Sequence, residues 1–109
     1  MHVIREFVEE RDWTQFQKPR ALAISAAVEM GELLELFQWR TDQEVSQRLE
    51  DKAYRDELAD EIADVMIYLI RIADTAGISP TEAILTKMES NREKYPVEEY
   101  RGKIPEKIR

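Results

Sequence analysis

Apolar positions recur along most of this chain every three to four residues, which is the spacing of amphipathic α-helices rather than of strands. Four segments follow the pattern: residues 3–11, 19–39, 53–76 and 80–95. Pro19 and Pro80 stand at first-turn positions, Gly77 follows the third segment and Pro96 follows the fourth. The pattern therefore predicts an all-α fold, and we expect its four main helices to form a four-helix bundle.

The segments between and after these helices carry weaker patterns. Residues 12–18 read as an irregular connection, and residues 41–52 are polar and acidic, consistent with either a loop or a short helical piece. From residue 97 onward the chain is charged and contains Gly102 and Pro105. We therefore predict one domain over residues 1–97, followed by an extended charged tail over residues 98–109.

The third predicted helix is apolar around much of its circumference. One stripe and its two flanks hold these residues: Leu58, Ile62, Val65, Leu69, Ile72, Met66, Ile67 and Ile70. A helix with so wide an apolar arc is normally buried on more than one side. Because two short flanking helices cannot easily cover it, we predict a homo-oligomer that shares this surface.

Composition restricts the partners. Of the 109 residues, 43% are hydrophobic and 36% are charged, which indicates one soluble globular domain. The net charge of −7 argues against a nucleic acid polymer, which needs a basic face. No apolar run approaches the length of a membrane span, and early charges interrupt any signal peptide. We therefore expect a cytoplasmic protein with no membrane partner.

The residue types that are missing narrow the chemistry. The sequence has no cysteine, which excludes disulfides and thiolate metal sites, and its only histidine is His2. A catalytic triad or a multi-histidine metal site is therefore not expected. Electrophilic chemistry in this chain has to come from carboxylates and a hard cation.

Two pairs of acidic residues lie beside apolar stripes. Glu29 and Glu32 are three residues apart on the second predicted helix, as Glu61 and Asp64 are on the third. Like charges at this spacing repel, and partial burial adds a desolvation cost. A divalent cation would neutralise them, and Mg²⁺ binds through carboxylates together with substrate phosphates. The alternative is an ordinary solvated face; a di-iron site is disfavoured because it needs Glu-x-x-His pairs.

The fourth predicted helix carries the opposite charge. Lys87, Asn91 and Lys94 share one face, with Arg92 beside them. Together they would form a clamp for phosphate groups through charge-assisted hydrogen bonds. The alternative is that these cations merely favour the negative end of the helix dipole.

Three aromatic residues are candidates for contact with a ligand. Trp13 and Trp39 flank helix ends and either stack on a planar base or pack at the rim of the bundle. Tyr68 lies one turn beyond Asp64 and either hydrogen-bonds a ligand or packs in the core.

The motifs resemble those of one known family. Glu29-x-x-Glu32 followed by Glu61-x-x-Asp64 resembles the signature of the MazG-like all-α nucleoside triphosphate pyrophosphatases. Four longer segments, residues 10–16, 29–39, 57–69 and 87–97, are similar to the dCTP pyrophosphatase branch. One position departs from that branch, which often carries histidine where this chain has Ile4.

The resemblance implies a site and an activity. It implies Mg²⁺ ligands at Glu29, Glu32, Glu61 and Asp64, triphosphate contacts from Lys87, Asn91 and Arg92, a base pocket walled by Trp13 and Trp39, and Tyr68 near the sugar. It also implies a homodimer or homotetramer with sites between subunits. Glu35 lies one turn past Glu32, and from that position it would orient or deprotonate the attacking water. The expected reaction is hydrolysis of a deoxynucleoside triphosphate, dCTP or a modified dCTP, to the monophosphate and pyrophosphate, which would clean the nucleotide pool. The alternatives are a non-catalytic nucleotide-binding helical oligomer and a structural helical protein.

Overall fold

The computed structural model describes residues 2–105, in which all regular secondary structure is helical and no strand occurs. The six α-helices are α1 (His2–Glu10), α2 (Pro19–Glu35), α3 (Asp42–Arg48), α4 (Lys52–Thr75), α5 (Pro80–Lys94) and α6 (Val97–Tyr100). The predicted all-α class is therefore confirmed. The chain forms two compact units, one up to Ile78 and one from Ser79 onward. The four-helix bundle remains a prediction.

In the first unit, α2 packs along α4 and α1 contacts α4. The end of α2 lies beside the start of α4, because the Tyr54 hydroxyl donates a hydrogen bond to the Leu36 carbonyl oxygen at 2.7 Å. The two helices are therefore antiparallel. The buried apolar core is small and holds Val8, Leu22, Ala26, Leu36 and Tyr54. This packing places the polar edges of α2 and α4 next to each other.

Helix α2 ends at Glu35, four residues earlier than the sequence pattern predicts. Side-chain hydrogen bonds to the last carbonyl oxygens of α2 explain the early end. The guanidinium of Arg40 folds back and donates to the carbonyl oxygens of Glu35 (3.2 Å) and Leu36 (2.9 Å). Trp39 then takes a positive φ of 65°, which carries the chain out of the helix.

Two connections contain more helix than the pattern predicts. The segment left open as a loop or a helical piece contains α3, which begins with a capping box between Thr41 and Glu44. The backbone N–H of Glu44 donates to the Thr41 hydroxyl at 3.1 Å. The connection predicted to be irregular contains a single 3₁₀ turn at Thr14–Phe16.

Helix α4 has nearly its predicted bounds, but the chain does not cover its apolar arc. Ile62, Met66, Ile67 and Leu69 keep 40–54% of their surface exposed. The expected burial of this helix on more than one side is therefore not achieved within a single chain. A second copy of the chain on this surface remains a prediction. Within residues 2–105 no helix has both the length and the apolar character needed to cross a membrane.

The second unit contains α5 and α6. The Ser79 hydroxyl accepts a hydrogen bond from the backbone N–H of Glu82 at 3.3 Å, as expected for the start of α5. The prediction of an extended tail is wrong for residues 98–100, which belong to α6. The Pro96 carbonyl oxygen accepts hydrogen bonds from the backbone N–H groups of Glu99 and Tyr100. Residues 106–109 lie outside the described residues, and the predicted domain boundary at residue 97 remains a prediction.

Candidate active site

Three carboxylates converge where α2 packs against α4. Glu29 and Glu32 are three residues apart on α2 and face Glu61 on α4. Each offers one oxygen, and the three oxygens all lie within 4.8 Å of one another. This carboxylate cluster joins both members of the first acidic pair predicted from the sequence with Glu61 of the second pair.

The cluster is electrostatically unfavourable by itself. One oxygen of Glu29 and one of Glu61 are buried without a hydrogen-bond partner among the described residues. Burial raises the pKa of both carboxyl groups; a hydrogen bond to Glu32 raises that of Glu29 further. No lysine or arginine in residues 2–105 forms an ion pair with the cluster. The group that best relieves this arrangement is a hard divalent cation with oxygen ligands.

Asp64 is the fourth expected metal ligand. It lies one turn after Glu61 on α4 and is exposed, and it is not among the three residues whose oxygens converge. Its charge nevertheless raises the pKa of both Glu29 and Glu61, so it lies close to the cluster. Its role as a ligand remains a prediction.

A cleft of about 530 Å³ opens beside the cluster. Its walls are Glu32, Glu35, Leu36, Arg40, Arg48, Asp51, Ala53, Tyr54, Glu57 and Glu61. Glu35, the candidate base, therefore lines the same cleft as two of the clustered carboxylates. The side chain of Arg48 makes no hydrogen bond or ion pair with any residue that the structure describes. A guanidinium of this kind is a good donor to phosphate groups.

An apolar pocket of about 300 Å³ lies at the other end of α4. It is lined by Val3, Ile4, Phe7, Val8, Trp13, Gln17, Ile67, Tyr68 and Arg71. The ring of Trp13 packs edge-on against Phe7, with centroids 5.7 Å apart. The structure therefore brings together Trp13 and Tyr68, two of the residues expected near a nucleoside. Two members of the carboxylate cluster, Glu32 and Glu61, line the acidic cleft, and none of the three lines this apolar pocket.

A polar network fixes one side of the apolar pocket. Arg71 is 6% exposed, and its Nε donates to Gln17 at 3.0 Å while its Nη1 donates to Asp74 at 2.6 Å. Arg5 on α1 donates to the same Asp74 carboxylate at 2.6 Å. These bonds from arginine hold the pKa of Asp74 below its usual range. The network ties α1 and the connection before α2 to α4.

Comparison with known proteins decides the family. Residues 24–104 match the model of the MazG-like family. The chain belongs to the MazG-like family. The resemblance stated from the sequence motifs is therefore confirmed.

Relatives within this family carry informative names. The chain is 42% identical over 97 residues to dCTP pyrophosphatase 1 of Mus musculus, which covers 89% of this chain and 57% of the mouse protein. It is 44% identical over 91 residues to the Homo sapiens protein of the same name, covering 84% of this chain and 54% of that protein. The chain thus spans little more than half the length of these relatives.

One solved structure is matched over a larger share of its own length than the relatives above are. The crystal structure of a pyrophosphatase from Archaeoglobus fulgidus matches with a TM-score of 0.80 and 45% identity, covering 87% of each chain. At this identity the likeness extends to sequence as well as to the MazG-like fold.

Trp39 does not join Trp13 in this MazG-like chain. It lies outside the residues that line the apolar pocket, and 91% of its surface is exposed. The early end of α2 and the positive φ at Trp39 turn this side chain away from the core. The side chain of Trp39 therefore lines no base pocket within a single copy of the described chain, and its predicted contact with a base would require a second copy.

The expected triphosphate contacts all lie in the second unit. Lys87, Asn91 and Arg92 are on α5, where Asn91 is half-buried and the two cations are exposed. Arg92 forms an ion pair with Glu89, three residues before it. Their contact with a triphosphate remains a prediction.

Sequence reasoning missed several residues that line these sites. Arg40 follows the predicted end of α2 and carries no pattern that marks it, but the early end of α2 returns it to the acidic cleft. Arg48 and Gln17 carry no pattern that marks them in the sequence. Arg71 does carry a signal, because it stands between Ile70 and Ile72 in the most apolar part of α4. A charged residue at such a position is normally paired.

Proposed function

We propose that this chain is a Mg²⁺-dependent nucleoside triphosphate pyrophosphohydrolase. It hydrolyses a deoxynucleoside triphosphate, dCTP or a modified dCTP, to the monophosphate and pyrophosphate. The observation that carries the proposal is the carboxylate cluster of Glu29, Glu32 and Glu61, with its two buried oxygens that lack partners. The names of the relatives, dCTP pyrophosphatase 1 and pyrophosphatase, support the reaction class.

The residues of the cluster fit a hard cation. Glu29, Glu32 and Glu61 would hold Mg²⁺, and Asp64 would join them from the next turn of α4. When bound, the metal polarises the α-phosphate and lowers the pKa of a coordinated water. The carboxylate cluster places several negative charges in a half-buried site, where they attract a cation more strongly than they would in bulk water.

Glu35 is the proposed general base. It is one turn after Glu32 and lines the same acidic cleft. It takes a proton from the attacking water as the water oxygen bonds to the α-phosphorus. The bond from that phosphorus to the bridging oxygen breaks, and pyrophosphate leaves with the electron pair. Arg48 in this cleft would offset the charge on the leaving group. The triphosphate contacts expected from Lys87, Asn91 and Arg92 on α5 remain a prediction.

The apolar pocket is the proposed site of the base. Trp13 would stack on the base or pack edge-on against it. Tyr68 lines the same pocket, and we propose that it contacts the sugar. The dCTP preference rests on the names of the relatives. Ile4 makes this part of the pocket apolar.

A homodimer or homotetramer is the proposed assembly. The exposed apolar residues of α4, Ile62, Met66 and Leu69, form a surface that a second copy would cover. The same contact is one way to bring Trp39 to a base pocket in the neighbouring chain. In the cell, the proposed role is to remove surplus or damaged nucleotides.

A pyrophosphate-release assay tests the activity. The purified chain is incubated with a panel of canonical and 5-modified triphosphates, with Mg²⁺ or with EDTA. We expect Mg²⁺-dependent release of pyrophosphate and monophosphate in equal amounts, fastest for dCTP or a 5-modified dCTP. Nucleotide binding without turnover would instead support the non-catalytic nucleotide-binding oligomer. Neither binding nor turnover would leave a structural helical protein.

A further inference from the structure

The last turn of α2 is closed by side chains rather than by the backbone. Helix α2 ends at Glu35, and among the described residues no backbone N–H donates to the carbonyl oxygens of Glu35 or Leu36. Arg40 Nη1 donates to both oxygens, at 3.2 Å to Glu35 and at 2.9 Å to Leu36. The Tyr54 hydroxyl donates a second hydrogen bond to the Leu36 oxygen at 2.7 Å. A carbonyl oxygen has two lone pairs, so Leu36 can accept both bonds.

The bond from Tyr54 anchors this turn to the opposite helix. Tyr54 lies in the first turn of α4, and both Tyr54 and Leu36 are buried. Glu29 lies seven positions before Leu36, and Glu61 lies seven positions after Tyr54. Seven positions are two helical turns, or about 10 Å. The anchor therefore lies at the end of α2, about two turns away from the contact between Glu29 and Glu61.

Glu35, the proposed general base, belongs to the anchored turn. The last turn of a helix frays easily, because its final carbonyl oxygens have no partner within the helix. A catalytic group has to be held within about 0.5 Å of its productive position. Arg40 bonds directly to the carbonyl oxygen of Glu35, and so it restrains the backbone that carries the base. Arg40, Tyr54 and Glu35 all line the acidic cleft.

We propose that Arg40 and Tyr54 are positioning residues, which hold Glu35 in place for proton abstraction by closing the last turn of α2. They act through the backbone of Glu35 and Leu36 rather than through contact with the substrate. The inference rests on the proposed function in taking Glu35 as the general base. The carboxylate cluster is held mainly by the packing of α2 on α4, so loss of the anchor affects Glu35 more than the metal ligands.

A double-mutant cycle tests whether the two residues act through Glu35. Arg40→Met and Tyr54→Phe are each made alone and together with Glu35→Gln, and kcat and KM are measured by pyrophosphate release. Arg55→Met is the matched control. The Arg55 guanidinium likewise donates to a carbonyl oxygen at a helix end, that of Leu49 after α3 at 3.3 Å, but Arg55 does not line the acidic cleft. Thermal melts confirm that each variant is folded.

We expect Arg40→Met and Tyr54→Phe each to lower kcat by about tenfold, because a small displacement of a catalytic group is costly, while KM stays within about twofold. In the Glu35→Gln chain the same substitutions should change kcat by less than about twofold, because the base that they position is already lost. Arg40→Lys keeps a donor for the carbonyl oxygens and should recover part of the rate. Arg55→Met should behave as the unchanged chain.

Hydrogen exchange tests the anchor without turnover. The backbone N–H groups of Phe37 and Gln38 both donate to the Leu34 carbonyl oxygen in the turn that the anchor closes. Their exchange should be faster in Arg40→Met and Tyr54→Phe than in the unchanged chain, and unaltered in Arg55→Met. Unaltered exchange in both anchor variants would show that these side chains do not hold the turn, and the proposal would be wrong.

The kinetic outcomes separate this proposal from the proposed function. Equal losses of kcat with and without Glu35 would overturn the positioning role, as would a rise in KM at constant kcat, which indicates direct contact with the substrate. A normal kcat for Glu35→Gln would remove the base itself and the proposal with it. If the unchanged chain releases no pyrophosphate, the proposed function fails first. An additive cycle in an active enzyme rejects the positioning role alone.

Discussion

Glu29 on α2 and Glu61 on α4 each bury one carboxylate oxygen that no donor in the described part of the chain contacts. The two side chains meet because the helices pack antiparallel, and Glu32 brings a third carboxylate within 4.8 Å of both. The same packing that forms the core therefore brings together groups that oppose one another's ionisation. A bound cation would convert this repulsion into binding energy.

Replacing Glu61 with glutamine is expected to remove the activity. Glu61→Gln keeps the shape of the side chain but loses one negative ligand of the carboxylate cluster. We expect Mg²⁺-dependent pyrophosphate release to fall by about 100-fold or more, since even outer contacts of metal sites contribute 10–100-fold. Asp60→Asn is the matched control, because Asp60 is the preceding residue on α4, is exposed, and is absent from the cluster. Normal turnover by Glu61→Gln would reject the metal assignment.

The stability of the metal-free chain is expected to depend on Glu29. Burial and Glu32 raise the pKa of Glu29, so the folded chain holds this proton to higher pH than the unfolded chain. Stability in EDTA therefore falls as the pH rises through the raised pKa. Glu29→Gln should raise the unfolding temperature at pH 7 and reduce this pH dependence. Thermal melts over a range of pH measure both quantities. Glu50→Gln, at an exposed carboxylate, should change neither the unfolding temperature nor its pH dependence. A Glu29→Gln curve parallel to that of the unchanged chain would contradict the prediction.

Helix positions were predictable because their signals are local. Pro19 and Pro80 begin α2 and α5 as the sequence indicates, and the α4 bounds agree within one residue at each end. The end of α2 was not predictable in this way. It depends on Arg40 folding back and on the Tyr54 hydroxyl, which reaches Leu36 across 18 positions of sequence.

The candidate site likewise has residues that local spacing predicts and residues that only the packing of the helices brings together. Glu29, Glu32 and Glu61 are marked by their spacing on helices beside an apolar stripe, so their convergence was predictable. Asp64 is marked in the same way, but it is not among the converging residues. The pockets on either side are not encoded by spacing. Gln17 and Arg71 are 54 positions apart and meet only through the packing of α2 on α4. Arg48 reaches the acidic cleft only because α3 forms.

Trp13 is expected to contribute to nucleotide affinity rather than to the chemical step. It lines the apolar pocket and is 44% exposed. Trp13→Ala should raise KM for the best triphosphate by about tenfold to a hundredfold, the usual value of one base–aromatic contact, with a smaller change in kcat. Phe16→Ala is the control, because Phe16 is exposed and does not line the pocket. A fall in kcat at constant KM would contradict this role.

Trp39 gives a test of the assembly. Because 91% of its surface is exposed in a single chain, Trp39→Ala should leave the unfolding temperature of a monomeric sample unchanged. If a second copy brings this ring to a base, the same variant raises KM and weakens the oligomer. Sedimentation and steady-state kinetics measure both effects. An unchanged KM in an intact oligomer would remove Trp39 from the base pocket.

Asp74 is expected to stabilise the fold through the buried Arg71. Asp74→Asn keeps the shape but leaves the Arg71 guanidinium, which is 6% exposed, without its charged partner. We expect a loss of about 2–3 kcal/mol in the free energy of unfolding at pH 7, because a buried charge then lacks compensation. Arg5→Gln, at the more exposed end of the network, should cost at most about 1 kcal/mol.

The stabilisation that the Asp74 carboxylate provides is expected to depend on pH. Hydrogen bonds from Arg5, followed by the charges of Arg5 and Arg71, lower the pKa of Asp74 in the folded chain. The stabilisation is therefore complete above the pKa of the unfolded carboxyl and is lost as the pH falls through the lower, folded pKa. Urea unfolding of the Asp74→Asn variant and of the unchanged chain should differ most near pH 7 and converge in acid. A difference in stability that stays constant down to pH 2 would show that Asp74 acts through packing and not through its charge.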